Sequence, residues 1–234
     1  IGRWELCDMG GIYILGQSEG TVIESNVIAH VASYHMYAWG VYLDEGASHV
    51  TVTHNLVHHT LSAGLHQHFG NNNTITHNTF ACSGGTDGDL AISIGEAHSS
   101  FNFSRNVVLR CPSDWANAAD DADDDGRQLT DVAVSYTGAA ASSSTLTLPA
   151  AAAWLLWWKG EGSHPNVSFH SNVYSSIRPE ETREPDGAAP PWLHLIKRGR
   201  TFKLWQKKHA QDEGSVWRAD ATTLFRNPAQ CDFR

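Results

Sequence analysis

The chain has few charged residues and no long apolar run. Charged side chains make up 18% of its 234 residues, and the 16 Lys and Arg are outnumbered by 25 Asp and Glu, for a formal net charge of −9. This negative balance disfavours a general affinity for nucleic acid, whose phosphates attract basic proteins. No stretch of about 18 apolar residues is present, so the sequence predicts no membrane span.

Helical periodicity is also scarce. Before Cys111, no segment repeats its apolar residues at about 3.6-residue spacing, which disfavours a doubly wound fold with helices between its strands. A short alternating apolar stretch with an Asn near its end recurs instead. The five copies centre on Asn26, Asn55, Asn78, Asn106 and Asn172, at intervals of 29, 23, 28 and 66 residues.

A period in the twenties, built from β-branched alternating strands, is typical of a solenoid of stacked parallel strands. We therefore predict an all-β chain forming a single-stranded right-handed parallel β-helix. The repeated Asn should lie at one corner of each coil, where it caps the turn or bonds the Asn stacked on it. An antiparallel sandwich also spaces its strands regularly, but it gives no reason for the same Asn in each unit.

The chain divides into three predicted parts. Residues 1–111 are predicted to be compact coils. Residues 112–153 change abruptly to Asp, Ala and Ser and are interpreted as an inserted surface loop. Residues 154–234 should supply a final coil and a C-terminal capping segment. Because the chain starts at Ile1 within a segment with the pattern of a strand, without Met or a signal peptide, we expect it to be part of a longer protein.

Two cysteines are predicted to stack in neighbouring coils. Cys82 follows its coil Asn by four residues and Cys111 follows its own by five, which places them about 5 Å apart at the strand spacing. That separation permits a disulfide, although two stacked free thiols fit equally well. Three sequons, beginning at Asn72, Asn102 and Asn166, permit glycosylation. We expect a secreted or extracellular protein.

The glycines align the coils and reveal a polar strip. Gly40 to Asp44 aligns with Gly64 to His68, a step of 24 residues, and Gly11 begins a matching run in the preceding coil. Val41 and Leu65 should then face the interior. On the outer face, the alignment stacks polar and aromatic side chains in two columns, Tyr13 with Tyr42 and His66, and Asp44 with His68. Tyr42 and His66 should be exposed. Stability alone does not select such a strip.

Each member of the strip also has a simpler interpretation. A carboxylate about 5 Å from an imidazole can fix its tautomer or raise its pKa. Asp44 and Glu45 could instead only shape the turn before Gly46, and His66 and His68 could be a surface pair. The two histidines project together and could bind a metal. Because no third ligand is evident, no metal and no cofactor are predicted.

Several runs resemble a known enzyme group. DMGGIY, YLDEG and HQHFG, together with the closing segment that starts at TFKLWQ, resemble right-handed parallel β-helix proteins among carbohydrate-active enzymes. The nearest resemblance is to glycoside hydrolase family 141, whose known activities include α-L-fucosidase and xylanase. It covers residues 3–111 and the C-terminal segment, and it implies the C-terminal part of a catalytic domain.

The resemblance implies catalytic acids at Asp8, Asp44 and Glu45. Together with the strip, it predicts a substrate cleft lined by Tyr13, Tyr42, His66, His68, Glu96 and His98. No metal is implied.

Glycoside hydrolysis needs a carboxylic acid and a carboxylate, about 5 Å apart for retention and roughly 6.5–9.5 Å apart for inversion. Asp8 precedes Gly11 by three residues while Asp44 follows Gly40 by four, so straight strands would separate them by on the order of 20 Å. They can pair only if the chain bends between Asp8 and Gly11, for which Gly10-Gly11 is suitable. Otherwise Asp44 must work with Glu45 or Glu96.

The sequence thus predicts a monomeric glycoside hydrolase that acts on a cell-wall polysaccharide or oligosaccharide, using paired carboxylates in a groove. One alternative is a non-catalytic carbohydrate-binding β-helix. Another is a polysaccharide lyase, which needs a cation to neutralise a uronic acid. The lyase is disfavoured because Arg105 and Arg110 are the only arginines in the coils after Arg3.

The insertion contains too few large apolar groups to offset the entropy of ordering it. Deleting residues 113–150 should therefore leave the melting temperature nearly unchanged in a thermal unfolding scan. A loss of several degrees would show that the segment belongs to the core.

Overall fold

The computed structural model describes residues 6–33, 37–83, 90–93, 99–111, 156–159, 167–176, 191–195, 198–201, 206–207, 210–218, 221–228 and 232–233. The predicted insertion at 112–153 lies outside these ranges, as do Glu96 and His98.

Eighteen strands, numbered in chain order, form three sheets within this part of the chain. The first sheet consists of β1 (Met9–Gln17), β4 (Ala38–Ser48), β7 (Leu65–His68), β10 (Leu90–Ser93), β13 (Leu156–Lys159), β16 (Pro191–Leu195) and β17 (Arg198–Thr201). The second consists of β2 (Val22–Glu24), β5 (Thr51–Thr53), β8 (Asn73–Thr76), β11 (Phe101–Ser104) and β14 (Val167–His170). The third consists of β3 (Val27–Val31), β6 (Leu56–Thr60), β9 (Thr79–Ala81), β12 (Val107–Arg110), β15 (Val173–Ser176) and β18 (Val216–Arg218).

From β1 to β15, each turn of the chain adds one strand to each sheet, and neighbouring strands are parallel except for the β16–β17 pair. The predicted parallel β-helix is confirmed. Within the described ranges, no helix is both long enough and apolar enough to cross a membrane.

Columns of apolar side chains fill the interior. Val41 and Leu65 pair in register and are fully buried, as predicted. The second sheet contributes the column Ile23, Val52, Ile75, Phe103 and Phe169, and the third contributes Ile28, Val57, Phe80, Val108 and Tyr174. Alternation along each short strand directs one residue of two into this core.

The aligned glycines are required by close packing. A Cβ on Gly11 would overlap the side chain of Ile28, and a Cβ on Gly40 would overlap that of Val57. The missing side chains let the third sheet pack directly against the start of the first. The glycine alignment therefore marks a true structural register.

The predicted Asn ladder is present. Oδ1 of Asn55 accepts hydrogen bonds from the backbone N–H and the side chain of Asn26 at 3.0 and 2.9 Å, and Asn78 accepts the same pair from Asn55. Asn106 and Asn172 continue the series, which ends on Oδ1 of Asp212. The residue before each Asn has a positive φ between 53° and 57° (Ser25, His54, His77, Arg105 and Ser171). Each corner thus combines a left-handed residue with an amide that satisfies buried backbone groups of the turn and of the neighbouring coil.

The two stacked cysteines are bonded. Cys82 and Cys111 form a disulfide with their Cα atoms 4.6 Å apart, so the free-thiol alternative is wrong. The bridge lies in a small apolar cluster with Ala221 and Phe225 of the C-terminal segment.

Removing one Asn side chain of the ladder should destabilise the fold more in the buried middle of the ladder than at its partly exposed end. Asn78→Ala leaves buried donors of Asn55 and the carbonyl of Val52 without their partner, which should cost about 2–4 kcal/mol in the free energy of unfolding. The matched control, Asn26→Ala at the partly exposed end of the ladder, should cost about 1 kcal/mol or less. Urea titrations measure both. Equal losses would show that the ladder contributes little.

Candidate functional site

A polar and aromatic strip lies on the outer face of β1, β4 and β7. Tyr13 pairs in register with Tyr42, and Tyr42 pairs with His66. Asp44 reaches one coil further and contacts His68. The stacking predicted from the glycine alignment is therefore confirmed.

Asp44 is surrounded by hydrogen-bond donors. The Tyr13 hydroxyl donates to Oδ2 at 2.5 Å, and Nδ1 of His68 lies 2.7 Å from Oδ1. The Tyr42 hydroxyl and the backbone N–H of Glu45 also face this carboxylate and help to lower its pKa. Both oxygens are therefore engaged, and an ionised carboxylate has about four lone-pair positions for such partners.

These donors keep Asp44 ionised. Burial by itself raises the pKa of Asp44, because it disfavours the charged form. The hydrogen bonds outweigh burial and lower that pKa to about 2. Asp44 is consequently an anion over the whole physiological range.

The same environment keeps Tyr13 and Tyr42 neutral. The hydrogen bond to Asp44, burial and the charges of Asp44, Asp8 and Glu45 raise the pKa of Tyr13 to about 12. Burial, followed by the hydrogen bond to Asp44, raises the pKa of Tyr42 far above its usual value. Both phenols act as donors.

The middle of the strip is covered. Tyr42 and His66 stack with their ring centroids 4.8 Å apart, and Trp39 lies 4.3 Å from each of them. Tyr42 is 3% exposed and His66 is 5% exposed, so the prediction that both are exposed is wrong. Alternation gives the side of the sheet to which they point, but stacked neighbours and Trp39 exclude the solvent.

Trp39 is the residue that the sequence reasoning missed. Counting alternately back from Val41 places Trp39 inside the coil. A Cβ on Gly40 would meet the core residue Val57, so Gly40 and Val41 both face the interior. This break in alternation puts Trp39 on the outer face beside Tyr42. The signal was the Gly that interrupts an otherwise regular strand.

His68 lies at the open end of the strip. Its side chain is 28% exposed, and its ring stacks on His66 at 5.6 Å and meets Phe69 edge-on at 4.2 Å. Because ionised Asp44 can only accept, Nδ1 of His68 must carry the shared hydrogen. Nε2 has no hydrogen-bond partner among the described residues.

The other two predicted acids are exposed at the margin of the strip. Asp8 has a φ of 53° just before β1, whereas Gly10 and Gly11 lie within that strand. The chain therefore bends at Asp8 itself, just before the strand that holds the glycine pair. The charge of Asp8 raises the pKa of both Tyr13 and Tyr42, which places Asp8 close to the strip. Glu45 acts on Tyr13 in the same way.

Two predicted substrate contacts, Glu96 and His98, lie outside the described residues. Within the described ranges, no group of three His, Cys, Asp or Glu side chains is placed to hold a metal ion.

Comparison with known proteins agrees with this architecture. Residues 2–114 match the family described as the right-handed beta helix region. The chain is a right-handed parallel β-helix. The matched residues include the coils that bear Asp8, Asp44 and His68. A search of curated proteins and a search of solved structures each found no match.

The depressed pKa of Asp44 predicts how its contribution to stability depends on pH. A carboxylate whose pKa falls from 3.8 to about 2 on folding stabilises the fold by about 2 kcal/mol above pH 4, and this is lost as the pH falls towards 2. Asp44→Asn lacks this titration. The difference in free energy of unfolding between wild type and Asp44→Asn should therefore shrink by about 2 kcal/mol between pH 6 and pH 2 in urea titrations. A constant difference would contradict the assigned hydrogen bonds.

Proposed function

We propose that this β-helix is a carbohydrate-active enzyme, a glycoside hydrolase that cleaves a cell-wall polysaccharide at the strip around Asp44. The observation that carries the proposal is the anionic Asp44, held by donors from three successive coils, with the exposed carboxylates of Asp8 and Glu45 beside it. The right-handed β-helix family is often carbohydrate-active, which supports the substrate class.

The parallel stacking of β1 and β4 does not require a carboxylate at the position of Asp44. The residue in register with Asp44 in the preceding coil is Leu15. Burying an anion costs free energy unless it is well hydrogen-bonded. Asp44 is only 6% exposed and is supplied with donors by the tyrosine hydroxyls and His68. A nearly buried carboxylate with hydrogen-bond donors converging on it is expected of a functional group rather than of a residue that only shapes a turn.

Exposed aromatic rings border the strip. Tyr13 and Tyr37 are each 42% exposed, and Tyr37 stacks on Trp39 with centroids 5.2 Å apart. A ring that is fixed from below and open above offers a flat apolar face with a polar edge. Such a face suits a sugar ring, which has apolar C–H surfaces and hydroxyl rims.

The protonation state of Asp44 decides which step of hydrolysis each carboxyl group can perform. Asp44 stays ionised and can stabilise the positive charge that develops on the sugar in an oxocarbenium-like transition state. It cannot serve as the acid, because its pKa is held near 2. Protonation of the leaving oxygen therefore falls to an exposed carboxyl, Asp8 or Glu45. The tyrosine hydroxyls hold the anion in place.

A lyase fits this strip less well. Arg105 lies at the corner before Asn106, and Arg110 ends β12 in the third sheet. Arg198 and Arg200 belong to β17, at the opposite edge of the first sheet from β1 and β4. A cluster with Asp8, Asp44 and Glu45 repels a uronate carboxylate instead of neutralising it. The disulfide supports the expectation of an oxidising, extracellular setting. A monomeric state remains our expectation.

Hydrolysis of a panel of neutral cell-wall polysaccharides tests the proposal. Asp44→Asn keeps the shape and removes the charge, so the release of reducing ends should fall by about 10²–10⁴-fold with unchanged folding. The matched control is Glu24→Gln, which removes an exposed carboxylate on the second sheet and should leave activity unchanged.

Two outcomes contradict the proposal. Equal turnover by wild type and Asp44→Asn would move the reaction to another part of the molecule. Retained polysaccharide binding, with no hydrolysis by the wild type, would assign the strip to a carbohydrate-binding module.

A further inference from the structure

We propose that His68, rather than any carboxylate, is the base that activates water in this reaction, and that Asp44 is its positioning residue. This inference rests on the proposed hydrolase function and changes the assignment of roles within it. Three observations carry it: the saturation of Asp44, the orientation of the His68 ring and the open Nε2 of His68.

Asp44 has no free oxygen with which to act as a base. Direct hydrogen bonds from Tyr13 and His68 occupy Oδ2 and Oδ1, and two more donors lie on the same carboxylate. To take a proton from water, Asp44 would have to release one of these partners in a nearly buried position. That step costs free energy at the moment when the base must act.

His68 has the opposite properties. Its Nδ1–H is fixed on Asp44, which leaves the Nε2 lone pair as the basic site. The ring is held between His66 and Phe69, so its orientation is set before a substrate arrives. With 28% of the side chain exposed and Nε2 unpartnered among the described residues, a water molecule can reach this nitrogen.

The groups around His68 come from four strands. His66 shares β7, Asp44 and Glu45 lie on β4, and Tyr13 of β1 reaches the same carboxylate. On the other side, Ser93 of β10 is in register with His68. An imidazole beside a fixed anion can accept a proton because the carboxylate stabilises the imidazolium that forms.

The proposed step conserves atoms and charge. Nε2 of His68 removes a proton from water while the water oxygen bonds to the anomeric carbon. The glycosidic bond breaks, its electron pair goes to the leaving oxygen, and that oxygen takes the proton of the carboxylic acid at Asp8 or Glu45. The products are a free reducing sugar and an alcohol, and solvent returns the proton from the imidazolium to the carboxylate.

Two substitutions separate a base from a structural partner. His68→Gln keeps a side-chain N–H for Asp44 but lacks a basic nitrogen, so kcat should fall by about 10²–10⁴-fold with KM changed only a few-fold. His68→Ala opens a cavity, and added imidazole should restore part of its activity. The matched control, His77→Gln on an exposed corner of the second sheet, should behave as wild type.

The tautomer gives a readout that does not depend on activity. In ¹⁵N spectra of the wild type, neutral His68 should carry its proton on Nδ1, and Asp44→Asn should weaken that preference. A proton on Nε2 instead would overturn the proposal directly.

The possible failures are distinguishable. If the wild type hydrolyses no polysaccharide, the proposed function fails and the base role falls with it. If the wild type is active and His68→Gln retains activity within about threefold, the hydrolase stands and His68 is not the base. Loss of activity in a folded His68→Ala without imidazole rescue would limit His68 to holding Asp44 and would also overturn the proposal.

Discussion

The hydrogen-bonded Asn ladder is the constraint on which the rest of the structure depends. From Asn55 onward, each Asn oxygen accepts two bonds from the Asn of the preceding coil, so adjacent coils are locked in one register at one corner. A slip of one residue would turn every side chain to the opposite face of the sheet. Because the register is fixed, the ring of Tyr13 meets that of Tyr42 edge-on, and Asp44 contacts His68 one coil away.

The site is therefore a property of stacking and not of any single coil. Tyr13 comes from the first described coil, Tyr42 and Asp44 from the second, and His68 from the third. Burying the Asp44 anion is unfavourable by itself, and it is tolerated only because donors from all three coils converge on it. Loss of register would leave this charge buried without partners, so the stability of the coils and the integrity of the site are coupled.

The regular features were predictable from the sequence and the irregular ones were not. Repeated Asn and Gly residues predicted the coils, the core residues Val41 and Leu65, and the Asp44–His68 contact, because each is a consequence of period and alternation. The position of Trp39 was missed because Gly40 breaks that alternation. The burial of Tyr42 and His66 could not be predicted, since alternation gives the side to which a residue points but not what covers it.

The protonation pattern explains why the residue type that suggests catalysis need not be the one that reacts. A lone carboxylate on a β-helix face suggests an acid or a base, yet the donors that keep Asp44 charged also occupy the lone pairs that reactivity requires. The residue that can accept a proton is then the hydrogen-bonding partner of Asp44 that has an unoccupied nitrogen. On His68 that atom is Nε2, on the side of the ring away from the Nδ1–H that is fixed on Asp44. The acid that complements it must lie outside the saturated cluster, where Asp8 and Glu45 remain exposed.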